Sequence, residues 1–202
     1  MPESAPPFQR ARNAVQRQDR LTQLLAATRE CLRHTGAATL TLGDVAAAAG
    51  LAKSGILRYV RSREALLLRV MYDEHLDWIE TLAGELRTVT PATALARTLA
   101  ERPLLCDLIA ASPVLINRLG PEDLPELPAQ AHDAQQRLGA ALRPALPLSD
   151  AQLASLTAAI HAFTGTAWAW TRPGAAGHDA MVTDFEATVR GLLGVFIAGL
   201  QS

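Results

Sequence analysis

Between Thr41 and Arg63 the chain gathers side chains that suit anions and base edges. The hydroxyls of Thr41, Ser54 and Tyr59, the ammonium of Lys53 and the guanidiniums of Arg58 and Arg63 fall within one short stretch, with Gly55 among them. Such donors bind phosphates and read guanine edges, and a glycine permits close approach to the backbone. Other chemistry is poorly served. The sequence holds no Gly-rich phosphate loop, no nucleophile elbow and no cluster with metal-ligand spacing. The acidic pairs Asp73/Asp77 and Asp77/Glu80 fall on an ordinary helix surface, and His75, His132 and His161 lack the spacing of a metal site. Cys31 and Cys106, far apart, make neither a disulfide framework nor a metal site. Cys106 reads as a small buried hydrophobe rather than a redox sensor. No catalytic residue, cofactor or metal is expected.

Charge sharpens this reading. The 202 residues sum to a net charge of −1, but residues 1–70 hold 11 Lys/Arg against 5 Asp/Glu, a net +6, and residues 71–202 hold 8 against 15, a net −7. A basic front on an acidic body suits an anionic partner for the front alone. With 49% apolar and 19% charged residues, the chain is neither disordered nor collagen-like. Its longest apolar or small-residue stretches, such as Gly191–Leu200, run about ten residues, short of a membrane span. The N-terminus lacks the apolar core of a signal peptide, so a cytoplasmic protein without membrane contact is expected.

The elements that must position these groups read as helices throughout. Leu21, Leu24, Leu25, Thr28, Cys31 and Leu32 make a helical stripe from about Gln18, ended by Gly36. Residues 1–17, with Pro2, Pro6, Pro7 and the arginines Arg10, Arg12 and Arg17, read as a flexible basic arm that either extends the contact with the anionic partner or is simply solvated. Thr41 caps a short helix that stops at Gly50, with Asp44 at its positive end. A second short helix covers about Lys53–Val60, and Ser62 caps a long one. Further helices open at Pro91 and Pro103, the latter kinked or divided at Pro113. Others run over about 129–142, 150–171 and 179–199, with a loop at 174–177.

The two short helices over 41–60 meet at Gly50, whose positive φ makes a tight turn. Ala46 and Ala47 keep the crossing small, and Leu51 and Ile56 plug the core beneath. This is helix-turn-helix architecture, in which the second helix enters the major groove. An ordinary αα-corner uses the same glycine.

The order Thr41-Leu42-x-Asp44-Val45-Ala46-x-x-Ala49-Gly50-Leu51-Ala52-Lys53-Ser54, then Leu57-Arg58-Tyr59-Val60, then Ser62-Arg63-Glu64-Ala65-Leu66, resembles the TetR family of one-component transcriptional regulators. The resemblance is close over about residues 18–70. It implies an all-α chain: a three-helix DNA-binding domain over 18–65, then a ligand-binding and dimerisation domain over 66–202. It also implies a homodimeric repressor released from double-stranded operator DNA by a small, largely apolar effector. A ligand-independent regulator or an activator is the alternative. Four positions depart from the family pattern: Leu57 stands for Tyr, Val60 for Phe, Arg63 for Lys and Gly55 for Thr.

On this reading Lys53, in the first turn of the recognition helix, reaches a guanine edge or a phosphate. Ser54 and Gly55 set close approach, and Arg58 reaches a base or the backbone. Tyr59 matches a position that contacts phosphate in the family, Thr41 caps and donates to phosphate at once, and Arg63 meets a phosphate at a helix N-terminus. A dimer would place two such helices one DNA turn apart. The expected interface is the last two helices, through Leu153, Leu156, Ile160, Phe163, Ala167 and Trp170 on one and Val182, Phe185, Val189, Leu192, Leu193, Phe196 and Leu200 on the other. The candidate ligand pocket is lined by Trp78, Leu105, Ile109, Val114, Asn117, Phe163 and Trp168, although each suits plain core as well.

Overall fold

The structure is a computed structural model describing residues 7–123, 127–172 and 180–202. Every regular element among them is helical: α1 (Pro7–Thr35), α2 (Leu42–Ala48), α3 (Lys53–Ile56), α4 (Arg63–Glu85), α5 (Pro91–Ala100), α6 (Pro103–Asn117), a 3₁₀ turn (Pro121–Asp123), α7 (Leu127–Leu142), α8 (Asp150–Trp170) and α9 (Phe185–Gln201).

The element ends follow from side chains. Ser62 Oγ accepts the Ala65 N–H at 3.0 Å, and Asp184 accepts that of Ala187 at 2.9 Å. Ser149 and Gln152 form a reciprocal capping box, each satisfying the other's backbone N–H. Gly36 and Gly50 have φ of 73° and 64°, as the two expected turns require.

Two apolar clusters organise the chain. One gathers Leu24, Leu25, Leu32, Val45, Ala46, Ile56, Val60, Leu66, Leu67 and Val70 from α1–α4 and the α3–α4 connection, with Leu108 and Leu115 of α6 reaching in. The other packs the rest of α4 against α5–α9 around Trp78, Leu82, Leu95, Leu99, Leu105, Leu138, Leu156 and Leu193. Helix α4 belongs to both, and at 1.5 Å per residue its 23 residues run about 35 Å between them. Arg29 of α1 ties to this helix through Glu74 at 2.7 Å and Asp73 at 3.2 Å.

Several expectations need correction. The basic segment is helical from Pro7 onward rather than a flexible arm up to residue 17. Proline suits a first turn, and the Arg, Gln and Ala residues that follow are good helix formers. Helix α3 ends at Ile56, and Leu57–Tyr59 continue as turns. Ala46 is buried at the α2–α3 crossing, but Ala47 faces out. Pro113 does not divide α6. The Ile109 carbonyl it deprives of a donor accepts instead from Ser112 Oγ at 2.8 Å. Helix α9 begins at Phe185, behind the Asp184 cap, and the loop expected at 174–177 lies outside the described residues.

Candidate nucleic-acid interface

Helix α2 is anchored by Thr41 and Asp44. Thr41 Oγ1 accepts the Asp44 N–H at 3.2 Å, while Asp44 Oδ2 accepts both the Thr41 N–H at 2.9 Å and its hydroxyl at 2.7 Å. Those bonds hold the exposed Asp44 carboxyl below its usual range, the Thr41 hydroxyl contributing most. A hydroxyl has one proton, and Thr41 has given it to Asp44. Capping and donation to a phosphate at once, as expected from sequence, is therefore not available in this arrangement.

Gly50 then turns the chain through its left-handed conformation, and Leu51 N–H returns to the Ala46 carbonyl at 2.9 Å. Lys53 opens α3, its side chain lying outside the described residues. Ser54 is exposed and Gly55 half-buried. A Cβ at Gly55 would meet only the Leu51 Cβ, at 3.9 Å, so packing does not demand glycine there. Ile56, fully buried, plugs the core, while Leu51 is only half-buried.

Arg58 is exposed and Tyr59 half-buried, and both face a groove whose other wall is α1, with Gln16, Arg17, Asp19, Arg20 and Gln23. Arg17 Nη2 donates to the Arg58 carbonyl at 3.4 Å, and Arg20 to Gln23 Oε1 at 3.1 Å. Three guanidiniums against one carboxylate leave the groove cationic. Arg20 was not foreseen, although its position one helical turn from Gln16 and Gln23 carried the signal.

Arg63 has another occupation. Its guanidinium donates to the carbonyls of Leu40 and Ala37 and pairs with Glu64 at 3.1 Å. Its side chain is 18% exposed. It locks the α1–α2 turn onto the start of α4, and the phosphate contact expected for it would require leaving these partners.

Of the seven candidate ligand-pocket residues, Trp78, Leu105, Ile109, Phe163 and Trp168 lie in or against one apolar cluster, and Val114 and Asn117 do not. Trp78, Leu105 and Ile109 are buried, with Trp78 Nε1 donating to Thr98 Oγ1 at 2.9 Å. Val114 and Asn117 are exposed, because α6 buries Leu105, Leu108, Ile109 and Leu115 on one side and these two fall on the other. Phe163 meets Phe196 edge-on, with ring centroids 5.9 Å apart. Trp168 lines a cleft between the end of α1, α4, α6 and α8, beside Asp107 and Arg172. Cys106 is buried, its Sγ 3.3 Å from the Leu99 carbonyl, and burial pushes its thiol up to about 12. Sequence reasoning also missed that His75 and His161, 86 positions apart, meet with Nδ1 and Nε2 3.5 Å from each other. No group of three or more His, Cys, Asp or Glu side chains suits a metal among the described residues.

The interior stripes of α8 and α9 are turned inward for the most part. Leu153, Leu156, Ile160, Ala167, Val189 and Leu193 are buried within the chain, leaving Trp170 and Leu192 outward at 44% and 41% exposure. No helix among the described residues is long and apolar enough to cross a membrane.

Comparison with known proteins places this geometry. Residues 24–70 match the model for bacterial regulatory proteins of the tetR family, and residues 67–202 match that for the tetracyclin repressor-like C-terminal domain. A TetR transcriptional regulator from Rhodococcus sp. RHA1 superposes with a TM-score of 0.60 at 16% identity, covering 92% of this chain and 99% of that one. The regulator FadR from Bacillus subtilis, solved with stearoyl-CoA, gives 0.56 at 15% identity over 88% and 98%. RolR, solved with resorcinol, gives 0.58 at 16% identity over 93% and 90%. At these identities the likeness is one of fold. No curated protein sequence matches the chain.

Proposed function

Because both halves of the sequence match its models, the chain belongs to the TetR family of bacterial regulatory proteins, and we propose that it is a homodimeric, cytoplasmic repressor released from operator DNA by a small effector. The observation that carries this reading is the cationic groove of Arg17, Arg20 and Arg58 beside a helix-turn-helix whose α3 projects Ser54 outward. Lys53, Ser54 and Gly55 meet the bases, while Arg17, Arg20, Arg58 and Tyr59 hold the backbone. Phosphate contacts supply affinity that falls with salt, and base contacts supply selectivity. Arg63 and Thr41 support the contact surface from behind. The DNA-binding unit is the segment 18–65, joined by Arg17 on the same helix α1, and 66–202 carries effector and dimer functions.

Dimerisation runs through α8 and α9. Leu192 and Val195 face outward from α9, Val195 at 78% exposure, with Gly191 and Gly199 exposed on the same helix. Small residues and isolated apolar side chains of this kind let a partner's helices pack closely.

Release follows from a population shift: an effector that prefers the conformation with mis-spaced recognition helices lowers operator affinity by that preference. The crossing point between effector region and DNA-binding unit is Asp107 of α6, which accepts the Ala37 N–H at 2.7 Å. The FadR and RolR structures hold ligands as different as stearoyl-CoA and resorcinol, so the fold alone does not select the effector. The test is selection from a pool of random duplexes by the purified protein, followed by mobility shift. A two-fold-symmetric consensus with half-sites about ten base pairs apart or a multiple of that supports the reading, and recovery of no consensus overturns it.

A further inference from the structure

Helix α8 carries a line of polar side chains through the interior. Thr157, His161, Thr164 and Trp168 recur at helical spacing and share one face. His161 Nδ1 lies 2.8 Å from the Thr157 carbonyl, which only an N–H can satisfy. Its Nε2 is then an acceptor, 3.5 Å from Nδ1 of His75 on α4. With the His75 proton directed there, His75 Nε2 is a bare acceptor.

That nitrogen has no partner, and neither do the Thr164 hydroxyl and the buried Trp168 indole N–H. His75 and Thr164 are 3% and 0% exposed. Arg69 Nε, Asp123 Oδ1 and Gln130 Oε1 also lack a hydrogen-bond partner, but they lie apart from this face, and comparable groups inside other helices are satisfied. The buried Thr28, Thr98 and Thr157 each return their hydroxyl to a carbonyl of their own helix, and Trp78 donates to Thr98. Buried polar atoms nearly always find partners. Three orphans on α8 and the α4 side chain against it mark a place that another molecule completes.

Resting on the effector-controlled reading above, we propose that the effector is a small neutral molecule bearing a hydroxyl, held by His75, Thr164 and Trp168. Its hydroxyl donates to His75 Nε2, an oxygen on it accepts from Trp168 Nε1, and Thr164 serves either way. From His161, which His75 meets, to Trp168 the polar line is about 10 Å long at 1.5 Å per residue. Its neutrality follows from the site. Burial, with His161 adding a little, pushes His75 down to about 3 and also lowers His161, so neither is a cation at neutral pH. The guanidinium at the edge, Arg172, is already paired with Asp107 at 2.9 Å, so a carboxylate or phosphate would find no free counter-charge here. The position also suits control. The Arg172 guanidinium lies 5.5 Å from the centre of the Trp168 ring and pairs at 2.9 Å with Asp107, which holds Ala37. An occupant against Trp168 is thus linked through Arg172 and Asp107 to the α1–α2 turn.

The test is calorimetric titration of the full chain with phenols and aliphatic diols, their matched carboxylates, and stearoyl-CoA. Thr164→Val and Trp168→Phe remove one polar group each and keep the shape. The expected result is binding confined to hydroxylated neutral compounds, about tenfold weaker in each variant. Unliganded Thr164→Val should melt no lower than the parent, because it loses only an unpartnered hydroxyl. Binding confined to carboxylates or stearoyl-CoA, binding by no hydroxylated compound, or undiminished binding in both variants overturns the proposal. Mobility shift on the selected duplex, run in parallel, separates the two readings. DNA binding that persists while no hydroxylated compound binds removes the effector assignment and leaves the DNA-binding assignment standing.

Discussion

Asp107 Oδ2 accepts the backbone N–H of Ala37 at 2.7 Å, joining the middle of α6 to the turn between α1 and α2. Its other oxygen pairs with Arg172 at 2.9 Å, and Arg63 grips the carbonyl of the same Ala37. One turn residue is thereby held by α4 and α6 together, and the carboxylate that holds it is tethered to the end of α8. Gly36 beside it adopts φ 73°, and a Cβ there would stand 3.4 Å from Asp107 Oδ2.

Asp107→Ala strands the Ala37 N–H and frees Arg172. A stranded buried donor costs about 1–3 kcal/mol, and denaturant unfolding should show a loss of that size. Asp107→Asn keeps an acceptor for Ala37 but loses the ion pair, so it should recover most of the stability. The two variants should also differ from the parent in how far any effector lowers operator affinity. Equal stability in the parent and Asp107→Ala would show that this contact does not hold the turn.

Gly50 and Gly55 should respond oppositely to alanine. At Gly50 nothing lies within 4 Å of a new Cβ, so only its φ of 64° matters. A left-handed alanine there costs about 1–2 kcal/mol, which thermal unfolding will read. Gly55 has ordinary helical space around it, and Gly55→Ala should stabilise the protein by roughly 0.5–1 kcal/mol. If α3 approaches the bases as proposed, that more stable variant will bind operator less well.

Much of this unit was legible in sequence because its logic is local. Thr41, Asp44, Gly50 and Ser62 act on backbone within a few residues, and each does what its type and position imply. What escaped was set by distant partners. The spacing of Arg63 suggested a phosphate contact, but Leu40 and Ala37 occupy it. The proline at 113 is a local exception: it looked like a break, but the serine beside it serves the freed carbonyl. Val114 and Asn117 looked like lining residues, but they fall on the face of α6 opposite Leu105, Leu108, Ile109 and Leu115. His75 and His161 looked unrelated, since only the meeting of one α4 side chain with one α8 side chain joins them.

Acid should destabilise the protein through His75. Its folded pKa, about 3, lies below the unfolded value near 6.5. The neutral ring is therefore stabilising above the unfolded pKa, and that contribution is lost as pH falls from about 6.5 toward 3. The slope approaches 1.4 kcal/mol per pH unit for one such group. Unfolding free energies measured between pH 7 and 4 should fall with that trend in the parent and more gently in His75→Leu. Parallel pH profiles would contradict it.

Asp44 offers a local check on the cap. Its carboxyl titrates below the usual value because Thr41 donates to it, so the cap is intact above the unfolded pKa and weakens as pH drops through the folded one. In Thr41→Ala the carboxyl resonance should titrate closer to an unperturbed aspartate, and the protein should lose about 1 kcal/mol. An Asp44 titration unmoved by Thr41→Ala would mean that the bond does not persist in solution.

The central claim is that the Arg17–Arg58 groove and α3 are the DNA-binding face. The direct measurement is binding of the selected duplex by anisotropy across a range of salt, for the parent, Arg58→Ala and Lys53→Ala. The account predicts steep salt dependence in the parent. It also predicts weaker binding in both variants, with the slope reduced by about one in Arg58→Ala for its lost phosphate contact and discrimination between duplexes relaxed in Lys53→Ala, while the oligomeric state is unchanged. Parent-like affinity and slope in both variants would contradict it.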